Sequence, residues 1–200
     1  MAVRKKKTTT KTMKSEYGDT EAYTAGYDDD SRSVFLVGDV TEEVIKAVTE
    51  KIIHLSEKRP KRPINLIINT YGGDVDDTFM LYDMMKYIPT PIHTVGLGKI
   101  MSAGCLLLAA GEKGERKIGK NARVMYHLGW DHTVGTIFEL RASLDAFEKQ
   151  EQQYDAAFAE ETGLSIKEVE KLYNKNGPTA DKYISAQEAL DLGVVDEIIE

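Results

Sequence analysis

Three short stretches, far apart in the chain, carry the residue types of an acyl-transfer site. Tyr71-Gly72-Gly73 follows an apolar run fit for a buried strand. Met101-Ser102-Ala103-Gly104 opens a small-residue apolar helix, and Val124-Met125-Tyr126-His127 ends a further strand. A serine hydroxyl attacks a carbonyl efficiently only when a base takes its proton, and histidine is the side chain whose ordinary pKa suits that task near neutrality. The negative charge that then develops on the carbonyl oxygen needs fixed N–H donors. Glycine turns and helix N-termini present such donors, each worth roughly 2.7–4 kcal/mol in acyl transfer. Ser102 as nucleophile, His127 as base, and the backbone N–H groups of Gly73 and Ala103 as oxyanion donors make one coherent candidate site.

Each of these residues also has a plain structural reading. Gly72-Gly73 fits a tight strand-to-helix turn, Ser102 fits an ordinary helix N-cap, and a single strand histidine is often a packing residue. His132, in the loop after Trp130, rivals His127 by position but has no strand to hold it. His54 falls in the first helix and His93 on a strand. A third group should orient the histidine and stabilise its cation, and here the residues leave a choice among Asp131, Asp155, Asp181 and Asp191. Asp181 stands just before the strand-like Lys182-Tyr183-Ile184. No G-x-G-x-x-G and no Walker loop is present, so a nucleotide site is not expected. No H-x-x-x-H or C-x-x-C occurs either, and no metal site is expected.

The elements that must position these groups follow from the apolar pattern. Residues 33–37 form a short buried strand. Thr41-Glu42-Glu43 opens a helix with acids in its first turn and an apolar stripe of Val44, Ile45, Val48, Ile52 and Leu55. Further strands are expected over residues 64–69, 92–96 and 123–127, with helices over 75–87 and 101–110. Such alternation points to an α/β domain with parallel pairing. A long helix over about 136–160 carries Ile137, Phe138, Leu140, Leu144, Phe147, Tyr154 and Phe158 on one stripe. Capping boxes at Ser165/Glu168 and Ser185/Glu188 open two more helices, and a last strand follows Gly193.

Two hundred residues suit one folded domain, placed at 31–200. Residues 1–30 lack Leu, Ile and Phe and read as an extension that is disordered or ordered only by a partner. No apolar run approaches a membrane span, and the basic N-terminus has no apolar segment behind it, so no secretory signal is expected. The single Cys105 forbids an internal disulfide and favours a reducing, cytoplasmic setting. Residues 1–14 hold six basic side chains and no acid. The remainder therefore carries twenty basic against 33 acidic groups, a formal −13, and a nucleic-acid-binding face is not expected.

With these stretches in view the chain resembles the ClpP-type serine proteases, the proteolytic subunits of the ClpP/crotonase superfamily. The resemblance runs over about residues 33–200. It rests on Ile64-Asn65-Leu66-Ile67-Ile68-Asn69-Thr70-Tyr71-Gly72-Gly73, Met101-Ser102-Ala103-Gly104, Arg123-Val124-Met125-Tyr126-His127 and Ile184-Ser185-Ala186-Gln187-Glu188-Ala189, followed by Gly193-Val194-Val195-Asp196. It implies an α/β fold of repeated β-β-α units with a long protruding handle helix at 136–160. It implies a triad of Ser102, His127 and Asp181 with Gly73 and Ala103 as the oxyanion donors. It further implies a homo-oligomer of two stacked heptameric rings enclosing the sites, with protein or peptide substrates. No cofactor is implied in the chain itself, and ATP enters only through an AAA+ unfoldase partner.

The chain departs from the family pattern at several points. Residues 1–30 replace the usual axial-loop segment, Leu128-Gly129 stands where Gln-Pro is common, and Lys99-Ile100-Met101 replaces small residues before the serine. The segment before Asp181 is longer and contains Gly177-Pro178. These changes suit a divergent member, such as a phage-encoded one, with its own delivery route. The resemblance leaves three other readings to weigh: a Ser-Lys enzyme with Lys99 as base, a catalytically silent ring scaffold, and a crotonase-like acyl-transfer enzyme.

Overall fold

The computed structural model describes residues 27–28, 31–173 and 181–200. Eight strands and six helices alternate along them: β1 (Tyr27–Asp28), β2 (Ser33–Val37), α1 (Glu42–Lys58), β3 (Ile64–Thr70), α2 (Val75–Tyr87), β4 (Ile92–Met101), α3 (Ala103–Ala109), β5 (Arg116–Gly119), β6 (Arg123–Tyr126), α4 (Ile137–Thr162), α5 (Ile166–Leu172), β7 (Lys182–Ser185), α6 (Ala186–Asp191) and β8 (Glu197–Ile199). The expected α/β class is what forms. The expectation of a disordered extension over residues 1–30 lies outside the described residues except at β1, which pairs antiparallel with Ser33 and Val34. The lengthened segment before Asp181 also lies outside them over 174–180.

The sheet runs β1-β2-β3-β4-β5-β8, with β6 joined to β4 and β7 joined to β6. Pairing is parallel throughout except at β1–β2 and β6–β7. Period-two burial makes β3 one-sided, with Ile64, Leu66, Ile68 and Thr70 buried and the residues between them partly open. The helices α1 and α3 pack onto the strands, and α2 bridges α1 to α3. Val34, Leu36, Ile45, Val48, Ile52, Leu55, Leu81 and Leu106 are almost wholly removed from water. Each such side chain contributes about 1.5–3 kcal/mol relative to exposure.

The strand that matters most for the site is β4. The sequence reads it as ending at Gly96, yet it continues to Met101 past a bend at Gly98, where φ is +73°. Its first part pairs with β5 through Thr94, Val95 and Gly96. Its last part pairs with β6 through Lys99, Ile100 and Met101. This fork sets Met101 opposite Met125, so Ser102 and His127 leave neighbouring strands at the same edge. All of α3 is buried, which explains its small and apolar composition. The two expected capping boxes form at Ser165/Glu168 and Ser185/Glu188, and a third at Thr136/Glu139 opens α4.

Candidate active site

Ser102 is the turning point between β4 and α3. Its backbone lies at φ 52°, ψ −122°, a region that costs a residue with a Cβ of order 1–3 kcal/mol. The turn is held by Ser102 N donating to Met125 O at 2.8 Å and Cys105 N donating to Ser102 O at 2.8 Å. The N-cap alternative does not apply, because the hydroxyl makes no bond to the start of α3. Instead Ser102 Oγ sits 2.8 Å from His127 Nε2.

His127 follows directly on β6 with its side chain only 17% exposed. Burial holds its pKa below the ordinary histidine value, against an upward pull from Asp181. A neutral imidazole accepts the serine proton at Nε2 when its own proton is on Nδ1, the nitrogen that faces Asp181 Oδ1 at 3.7 Å. That separation exceeds hydrogen-bond length, so the contact is electrostatic. Asp181 is 46% exposed, at the head of β7.

The glycine turn closes the other side. Gly72 N donates to Thr70 Oγ1 at 2.9 Å, Val40 N donates to Gly72 O at 2.7 Å, and Asp74 N donates to Val40 O at 3.0 Å. This pairing leaves the Gly73 N–H out of the ladder. Ala103 N, at the first position of α3, has no intrahelical acceptor. Glycine is required here: at φ +101° a Cβ on Gly72 would lie 2.6 Å from Ser102 Cβ, and one on Gly73 would lie 2.1 Å from Val40 O. The glycine turn and the serine turn therefore pack directly against each other.

A cleft of about 510 Å³ opens over Ser102, His127 and Gly73. Tyr71, Trp130 and Phe147 give it aromatic walls, and Asp74, Asp76 and Asp131 give it a negative rim. Asp76 accepts from Gln150 Nε2 at 3.0 Å. The Thr133 hydroxyl and the His132 N–H hold the Asp131 carboxyl below the usual range. The volume falls within that of small-ligand and peptide side-chain sites.

The rival residues are engaged with other partners or exposed. Asp155 is buried and accepts from Tyr126 and Tyr173, Asp191 accepts from Gln187, and Asp131 is taken by Thr133 and His132. His132 is exposed in its loop. Lys99 donates to Asn69 Oδ1 at 2.9 Å and lies over the Tyr71 ring at 4.4 Å, so its ammonium is engaged away from Ser102. Cys105 is fully buried one turn after Ser102, its thiol pushed up to about 12 by burial and so inert as a nucleophile. Among the described residues no group of three or more His, Cys, Asp or Glu converges as a metal site, and no helix is long and apolar enough to cross a membrane.

One contact at the site was not foreseen from the sequence, where Tyr154 reads only as part of the α4 apolar stripe. Its hydroxyl donates to Ser102 O at 2.8 Å. The available signal was chemical: a tyrosine on a buried stripe brings an OH that needs a partner.

Known proteins resemble this chain in sequence. The family model described as Clp protease matches residues 20–200. The ATP-dependent Clp protease proteolytic subunit 1 of Leifsonia xyli subsp. xyli is 36% identical over 169 residues, which span 84% of this chain and 83% of that protein. A match over nearly the whole folded region, taking in the glycine turn, the serine turn and the histidine strand together, places the chain in the Clp protease family.

Proposed function

We propose that the protein is a serine endopeptidase that hydrolyses peptide bonds of unfolded proteins or peptides through Ser102, His127 and Asp181. The observation that carries this reading is the 2.8 Å contact between Ser102 Oγ and the half-buried His127 Nε2, beside two unengaged backbone donors. Ser102 Oγ attacks the scissile carbonyl carbon as its proton passes to Nε2. The new C–O bond sends the carbonyl π pair onto oxygen, where the Gly73 and Ala103 N–H groups receive it. His127 gives the proton to the amide nitrogen as the C–N bond breaks, and the acyl group stays on Ser102. Water then attacks that ester while His127 takes its proton. The proton returns to Ser102 Oγ as the acid product leaves. Asp181 stabilises the histidine cation formed in each half-reaction.

In this reading the chain needs no metal or bound cofactor of its own. The exposed apolar residues Ile137, Phe138 and Leu144 on the first half of α4, with Val134 just before it, support a homo-oligomer in which two heptameric rings stack through that helix. The relative's description as part of an ATP-dependent protease supports delivery of substrates by an AAA+ unfoldase. A cytoplasmic location fits the single buried thiol.

Labelling with a fluorophosphonate tests the chemistry. Mass spectrometry is expected to find the adduct on Ser102 in the wild type and none in His127→Ala. A folded, assembled wild type that takes up no label would sink the reading. A native mass equal to two seven-membered rings tests the assembly.

A further inference from the structure

The nucleophile turn is tied to α4 by a bond that its own strand and helix do not require. Ser102 O already accepts from Cys105 N at 2.8 Å, so the carbonyl is satisfied without help. Tyr154 OH nevertheless donates to the same oxygen at 2.8 Å, from a point 52 residues further along the chain. The next residue on α4, Asp155, is 6% exposed and accepts from two other tyrosines. Tyr126 OH donates to Asp155 Oδ1 at 2.8 Å, and Tyr173 OH donates to Oδ2 at 2.5 Å. The Tyr126 ring packs at 4.6 Å from Phe158, 5.8 Å from Tyr154 and 6.0 Å from Tyr173.

The places these bonds reach are not random with respect to the site. Tyr154 holds the backbone of Ser102. Tyr126 immediately precedes His127, and Tyr173 caps the end of α5. Two adjacent residues of one helix thus fasten the chain at Ser102 itself and at the residue before His127. A buried carboxylate with two hydroxyl donors is a rigid joint, since losing either partner strands a polar group away from water.

We infer that Tyr154 and Asp155 are positioning residues of the reaction: Tyr154 fixes the strained backbone of Ser102, and Asp155, through Tyr126, fixes the strand end that carries His127. This rests on the serine-peptidase reading above. A displacement of about 1 Å at a reacting atom costs as much as 10²-fold in rate, so a second bond on the nucleophile's own carbonyl has a kinetic use even where stability gains little from it.

The test uses the full-length protein and a fluorogenic peptide, with active sites counted by fluorophosphonate. Tyr154→Phe keeps the ring packing and leaves no acceptor unpaired, so its melting temperature is expected to stay near that of the wild type. Its kcat per labelled site and its labelling rate constant are each expected to fall about ten- to hundredfold, with KM nearly unchanged. Asp155→Ala is expected to lower kcat per labelled site, and Asp155→Asn, which retains an acceptor oxygen, to restore most of it. A role in packing alone would reduce the number of labelled sites and leave the rate of each one intact. Wild-type kcat and labelling rate per site in Tyr154→Phe would overturn the inference. The absence of Ser102 labelling in the wild type is a separate outcome, overturning the peptidase reading and this inference with it.

Discussion

The two sides of His127 are built from different material. Toward Ser102, the imidazole leaves a buried strand, β6, whose neighbour β4 delivers the serine in fixed register, and Nε2 meets Oγ at 2.8 Å. Toward Asp181, it faces β7, a four-residue strand in which only Ile184 is buried, and Nδ1 stands 3.7 Å from the carboxylate. The core fixes one contact to hydrogen-bond precision, and an exposed strand end sets the other. The contrast teaches that the proposed nucleophile–base pair is a property of the packed sheet, while the proposed acid faces His127 at longer range.

Four measurements would break or sharpen that contrast. The largest effect belongs to the core-built side: Ser102→Ala and His127→Ala are each expected to lower kcat for peptide hydrolysis by about 10⁵ or more. Next comes Gly72→Ala. Its Cβ would press on Ser102 Cβ and on Met101 O, 3.0 Å away, at a φ of +101°, so fluorophosphonate labelling should slow about a hundredfold or more. Asp181→Ala should cost less than His127→Ala by roughly ten- to hundredfold in kcat. Alanine is the informative replacement, because an asparagine could donate to Nδ1 and hold the wrong tautomer. An equal loss in the two variants would erase the distinction between the two sides.

The smallest effect is on the pH profile. His127 must be neutral to accept the serine proton, so kcat/KM is lost as pH falls through its pKa. Burial sets that pKa below the ordinary 6.5, and Asp181 pulls it upward. In Asp181→Ala the acid limb of the kcat/KM profile should therefore move to still lower pH. A limb that stays in place or moves upward would show that Asp181 does not act on His127 through charge.

Much of this contrast could be read in the sequence, and the unread part has identifiable causes. Ser102, His127 and Gly73 stood out because each lies where an apolar run meets a turn, and the sheet brings those edges together. In the sequence Gly96 and Gly98 look like a strand end, whereas Gly98 supplies the bend that lets one strand, β4, serve two partners. The backbone of Ser102 was invisible, since positive φ is ordinarily announced by glycine and here a serine bears it. The partners of Tyr154 and Asp155 depend on where α4 lands on α3, which no local pattern encodes. Asp181 is singled out by resemblance rather than by spacing, in keeping with its being the most exposed of the three proposed triad residues.

With Ser102 as the proposed nucleophile, its left-handed backbone sets folding and catalysis against each other at a single residue. Glycine takes φ 52° without the crowding that a Cβ brings. A Ser102→Gly chain is therefore expected to unfold at a higher temperature than Ser102→Ala, by an amount corresponding to about 1 kcal/mol, while having no nucleophile at all. Selection for robustness alone would drift toward that glycine, and an inactive descendant of this protein should be recognisable by having made the exchange.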